Sequence, residues 1–351
     1  MSTSSILESS SDSDKIISEP PAYYLRIAYF ISVWVFKAVF TFGLGAQRLL
    51  LRRPPNLLRP EPRIYPIRPT LTSLVYRPDD PGDEPLPVYV NCHGGGWAVA
   101  DPAADEEFCS FLARHFNIIV VSVDYHRSPR WQFPFAVEDV AAITDAVLKD
   151  ESLNIDTAKV AMGGFSAGAN ILFAACQLPV LKGRVHALIG FCPVLNSNER
   201  LEEKLARRPK EAGTDGLASS AAFLDWAYVP YGIDRNNPLL SPGMAKKEDL
   251  PKWVYIVGAE YDCLWFEANR LAERLADPEV ERTSIPEVST EEGWRQGTIR
   301  WESAKGRIHA FTHVAEWTSK KEKARVQMVE ELYSRVGTWL KDEVWKSQPV
   351  S

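Results

Sequence analysis

A chain of 351 residues, 45% of them hydrophobic and 25% charged, carries ample material for a buried sheet and is ordinary for a soluble globular protein. Its formal net charge of −6, with no block of Lys or Arg, excludes a nucleic-acid-binding footprint. Five cysteines (Cys92, Cys109, Cys176, Cys192 and Cys263) without a C-x-x-C pair argue against a disulfide framework or a zinc site and favour a reducing compartment.

Residues 1–22, rich in Ser and Asp at their start, are expected to form a disordered tail. Residues 23–53 are expected to hold an apolar helix. Its centre, Ile27 to Gly45, is apolar on all sides apart from Lys37. Arg48, Arg52 and Arg53 follow, then a Pro-rich linker at Pro54, Pro55, Pro60 and Pro62. Two readings stay open here. As a membrane anchor the segment has the roughly 20 apolar residues a bilayer needs, and the basic cluster behind it leaves the rest of the chain in the cytosol. As part of a cap it packs over the domain while Lys37 snorkels outward. On either reading residues 27–45 are the expected place of membrane or greasy-substrate contact, and the expected location is cytoplasmic or cytosol-facing on an intracellular membrane.

From 54 to 351 the chain reads as one α/β domain. Leu86–Cys92, Ile118–Val123, Lys159–Gly163, Ala187–Cys192 and Trp253–Val257 are short apolar runs, expected as buried strands. Asp105–Phe116, Phe135–Lys149, Ala167–Gln177 and Trp265–Leu275 are the intervening helices, and Lys321–Trp345 is a long last one. Such alternation predicts βαβ units and a mostly parallel, doubly wound sheet. Two stretches interrupt it. Asn196–Gly232 joins a polar piece to FLDWAYVPYG and reads as a helical cap insertion. Asp277–Lys305, polar with Pro and Gly, reads as an excursion before the last strand. Phe223, Trp226, Tyr228 and Tyr231 of the cap, with Trp97, suggest an apolar or aromatic pocket, although for any one of them a place in the core is the preferred reading.

Three strand ends carry the chemistry. Gly164-Phe165-Ser166-Ala167-Gly168 follows one expected strand and opens a helix, the context of a nucleophile elbow. The turn is tight, so glycines must flank Ser166. His93-Gly94-Gly95-Gly96-Trp97 follows another strand, and consecutive glycines let backbone N–H groups converge on an oxyanion. The chain has neither the G-x-G-x-x-G nor the Gly-Lys-Ser/Thr pattern of a nucleotide cradle. The order nucleophile, acid, histidine places the base near the C-terminus, where GRIHAFTH offers His309 and, as a neighbour, His313. The acid belongs in the loop after Trp253–Val257, where Asp262 is preferred and Glu260 is the alternative. No metal or organic cofactor is expected.

With those residues in hand, the chain resembles the hormone-sensitive-lipase-like branch of the α/β-hydrolases. The resemblance rests on His93–Trp97, on Asp124-Tyr125 through Phe133-Pro134 with Glu138-Asp139, on Gly164–Gly168, on Asp262-Cys263-Leu264 with Glu267, and on His309-Ala310-Phe311. It implies Ser166, Asp262 and His309 as catalytic residues. It also implies oxyanion N–H groups from Gly95, Gly96 and Ala167, with Gly94 shaping the turn beside His93. The implied activity is a serine esterase acting on a hydrophobic small-molecule ester, an acetylated secondary metabolite among the candidates. Alternatives are an amide hydrolase of the arylformamidase type and a non-catalytic ligand receptor, since some relatives bind hormones after losing the triad histidine. Three features depart from the family. Arg130 stands where it usually has Glu, Ala310 replaces a Gly, and the stretch before His309 is long. The N-terminal apolar helix is unusual too, and is similar to that of hydrolases from fungal natural-product pathways.

Overall fold

The computed structural model describes residues 15–50, 53–286, 288 and 292–346. Ten strands form one sheet: β1 (Glu61–Arg63), β2 (Ser73–Tyr76), β3 (Leu86–Cys92), β4 (Ile119–Val123), β5 (Ile155–Phe165), β6 (Ala187–Phe191), β7 (Trp253–Ala259), β8 (Thr283–Ser284), β9 (Gly293–Gln296) and β10 (Ile299–Ala304). Their order is β1-β2-β4-β3-β5-β6-β7-β10-β9-β8. The six strands from β4 to β10 pair in parallel, and antiparallel strands extend both edges.

The strands alternate their contacts as a sheet covered on both faces must. Val88 and Val90 of β3, Val160 and Met162 of β5, and Val254 and Ile256 of β7 point to one core. That core is closed by α3 (Phe135–Val147), α4 (Ala167–Ala175) and α7 (Trp265–Leu275). Tyr89, Ala161 and Tyr255 point the other way, against α2 (Glu106–Phe116) and α8 (Ser319–Trp339). Each fully buried Val, Ile or Leu in these layers contributes about 1.5–3 kcal/mol relative to exposure.

Several expectations need correction. The last strand lies inside the stretch read as an excursion. β10 has the sequence IRWESA, and its buried Glu302 takes an ion pair from Arg335 of α8 at 2.9 Å and a hydrogen bond from Tyr255. Those partners let a charge-bearing run sit in a sheet interior. Of the expected disordered tail, 1–14 lies outside the described residues, but Ser18 N–H donates to the Ile233 carbonyl (2.8 Å) and its own carbonyl accepts from Gly232 N–H (2.9 Å). Residues 16–18 therefore lie as a short extended piece along 232–235.

Residues 196–232 hold two short helices outside the sheet, α5 (Leu201–Ala206) and α6 (Ala221–Tyr228). The N-terminal helix, α1 (Tyr23–Leu50), lies across α6. Val33, fully buried, packs with Ala98, Val99, Leu224 and Ala227, and Phe36 meets Phe223 at 5.6 Å between ring centroids. Lys37 does not snorkel outward. Its Nζ donates inward to the carbonyls of Ala98 (2.7 Å) and Ser128 (2.8 Å). Burial, with Arg127 nearby, lowers its pKa to about 8.

Candidate active site

The elbow is built by close packing. β5 runs straight into Ser166, whose backbone adopts φ 53°, ψ −120° and whose N–H donates to the Phe191 carbonyl at 2.8 Å. A side chain at Gly164 or Gly168 would collide with the Cys92 carbonyl of β3, so the two glycines let the turn press against the neighbouring strand. Ser166 is half-buried at the start of α4.

The residues singled out from sequence meet here. Ser166 Oγ is 2.9 Å from His309 Nε2, and His309 Nδ1 is 2.7 Å from Asp262 Oδ2. Asp262 is buried, and its Oδ1 accepts the Leu264 N–H at 3.0 Å. Glu260, the alternative acid, instead accepts from Gly306 N–H at 2.7 Å. Burial works against the imidazolium of His309, but the Asp262 charge and hydrogen bond, with Asp215 adding to them, hold its pKa above the ordinary histidine value. Ala310 follows it with φ 57°, a left-handed conformation that suits the glycine usual there. His313 lies apart from these three residues. It pairs with buried Asp105 at 2.9 Å, and its ring meets Phe165 edge-on.

The glycine loop lies against the elbow, with Gly94 packed on Phe165 and Ser166. Gly95 and Gly96 take φ 106° and 57°. Their N–H groups have no protein partner among the described residues, and the Ala167 N–H opens α4. The loop is held from behind by His93, fully buried and stacked on Tyr125, whose Nδ1 is 2.8 Å from the Gly94 carbonyl. From the front, a side chain at Gly96 would run into Leu224 of α6. Trp97 and Tyr228 are buried and stacked in parallel at 4.4 Å, so this pair is core. Trp226 likewise meets Tyr29 of α1 and donates to the Tyr231 hydroxyl. The aromatics of 196–232 thus join α6, the core and α1. Arg130 lies over Trp131, and buried Asp139 is supported by Arg68 (2.5 Å) and by His126 (2.8 Å).

Two groups of side chains come close enough to suggest a metal: Cys192, Asp262 and His309, and Asp215, Asp262 and Cys263. Both share Asp262, whose oxygens already accept from His309 and Leu264. Burial raises the pKa of both thiols, which keeps them protonated and poor ligands. The arrangement fits hydrogen-bonded acid–base chemistry better than an ion site. Sequence reading missed Asp215, Arg208 and the Asp105–His313 pair. Only their sequence-distant partners mark them.

Comparison with known proteins bears on the fold and the class of enzyme. Residues 89–290 match the model of a family described as having the alpha/beta hydrolase fold. Esterase LipI of Mycobacterium tuberculosis is 30% identical over 75% of this chain and 85% of its own length. Carboxylic ester hydrolase LipN of the same organism is 30% identical over 57% of this chain, a match that spans only 54% of LipN. Versiconal hemiacetal acetate esterase of Dothistroma septosporum is 32% identical over 36% of this chain and 40% of its own length. In three dimensions, an esterase of the archaeon Pyrobaculum calidifontis superposes with a TM-score of 0.69 over 92% of this chain and 98% of its own, at 23% identity, a likeness of fold. The chain belongs to the α/β-hydrolase fold family, as a carboxylesterase-type hydrolase.

Proposed function

We propose that this protein cleaves a carboxylic ester of a hydrophobic small molecule through an acyl-enzyme on Ser166. One observation carries the reading: the unbroken hydrogen-bond chain Ser166–His309–Asp262 beside a glycine loop with free N–H groups. His309 takes the Ser166 proton as Oγ attacks the carbonyl carbon. Asp262 holds the imidazole tautomer and stabilises the imidazolium. The N–H groups of Gly95, Gly96 and Ala167 receive the oxyanion. His309 then protonates the leaving alcohol, and water repeats the cycle to release the acid. A short acyl group such as acetate is favoured, on the likeness to the versiconal hemiacetal acetate esterase. We read residues 196–232, with α1, as the cap over this site.

The test is labelling with a fluorophosphonate probe alongside hydrolysis of p-nitrophenyl acetate and butyrate. Wild type reacts in both assays. Ser166→Ala loses labelling and loses turnover by about four to six orders of magnitude. Folded wild type inert in both assays overturns the reading in favour of a ligand receptor.

A second reading concerns α1. Its inner face is docked, while its outer face exposes Phe30, Ile31, Val35, Val39, Phe42 (81%) and Leu49 (85%). We read that face as lying in the headgroup boundary of a membrane. Spanning the bilayer would require α1 to leave the domain and Lys37 to lose both its carbonyl partners, so contact in the membrane plane fits better.

A further inference from the structure

The acid of the triad has a second carboxylate behind it. Asp215 comes from the cap stretch, between α5 and α6, and is buried (4% exposed). Its Oδ2 accepts the N–H of Cys263, the residue directly after Asp262, at 2.9 Å, and its Oδ1 accepts the Leu217 N–H at 2.7 Å. The Asp215 and Asp262 carboxylates and the Cys263 thiol approach within 4.8 Å of one another. Arg208, also from the cap and partly buried, lies with Nε 3.2 Å from Asp215 Oδ2 and donates to the Tyr261 carbonyl at 2.9 Å. Tyr261 N–H in turn donates to the Arg307 carbonyl (2.8 Å), two residues before His309. The cap is therefore wired into the backbone on both sides of Asp262.

We propose that Asp215 is a positioning residue for the Asp262–His309 pair, fixing the turn that carries Asp262 and adding a second negative charge behind it. Its role rests on Ser166, His309 and Asp262 being the triad. Two anions around one imidazole favour its charged form more than one does, and Arg208 moderates the effect. This agrees with the raised pKa of His309, to which Asp215 contributes.

Other charges nearby are already paired. Lys204 of the cap meets Glu267 of α7 at 2.5 Å, Arg207 meets Glu199, and Glu260 is tied to Gly306. The Cys192 and Cys263 thiols are kept neutral by burial, with nearby carboxylates adding to the effect. After Asp262 itself, Asp215 is the anion that bears on His309, and Arg208 is the cation paired with it.

The experiment compares wild type, Asp215→Asn and Arg208→Gln in two readouts. One is the pH profile of kcat/KM for p-nitrophenyl butyrate. The other is the titration of the His309 ring by NMR. Asp215→Asn is close to isosteric and removes one negative charge, so it lowers the acid limb and the ring titration together by about half a unit or more. Arg208→Gln removes the moderating cation and moves both upward. Opposite shifts distinguish this role from general damage to the turn, which moves both variants the same way. A His309 titration unchanged in Asp215→Asn, or shifts of the same sign in both variants, overturns the proposal. If the ring titration shifts as expected while ester turnover survives Ser166→Ala, the triad reading fails and the link from Asp215 to His309 stands.

Discussion

Ser166 and Gly95 show how much of this site is backbone. Ser166 holds a left-handed φ because strand, turn and helix leave it no other path, and the strain, of order 1–3 kcal/mol, is borne by the packing around it. At Gly95 the φ is 106°, and a Cβ would strike the Val99 carbonyl of its own loop. Gly95→Ala must therefore rearrange the loop and misdirect its N–H groups. Steady-state kinetics should register a fall in kcat of about 100- to 1,000-fold, the cost of losing one oxyanion donor, with the fold intact by circular dichroism. Wild-type turnover in that variant would remove Gly95 from the oxyanion site. At this scale Ser166, Asp262 and His309, which the structure brings into one hydrogen-bond chain, were legible because each follows a strand within a motif whose spacing is local. Asp215 and Asp105 were not, since the contacts that tie them to the site, to Cys263 and to His313, lie 48 and 208 positions away and carry no local pattern.

Among the elements, α1 is where sequence reading was most divided. Its all-round apolarity concealed two different faces. One meets Leu224, Ala227 and Phe223, and the other is exposed among the described residues. If the outer face rests on lipid, the protein should sediment with phosphatidylcholine vesicles, and the triple variant Ile31→Ser, Val39→Ser, Phe42→Ser should remain in the supernatant with esterase activity retained. Wild type that stays in the supernatant rules the lipid reading out. Elements made of uniform apolar runs, such as β3 and β4, were readable because burial on both sheet faces demands such runs. β10 was not, because Arg300 and Glu302 look like surface residues until Arg335 of α8 is brought beside them. The two- and three-residue edge strands are too short to carry any period.

For the molecule as a whole, alternating strands and helices announced a doubly wound sheet, while the strand order, which depends on crossovers, was beyond local pattern. The five cysteines sample the whole body of that sheet. All are buried, and burial raises the pKa of each thiol. Ellman's reagent should find essentially no reactive thiol in the folded protein and all five in guanidinium, so that slow labelling under native conditions reports global opening. Prompt reaction of any thiol in the folded state would contradict the closed packing of both layers.

The sheet's margins have a consequence for crowded solution. One margin ends at Glu61-Pro62-Arg63, where the proline lacks an N–H and two charges flank it. The other ends at the two residues Thr283–Ser284. Among the described residues a neighbouring copy therefore meets only two- and three-residue rims, the short, charge-flanked edges by which a sheet limits pairing with a second copy.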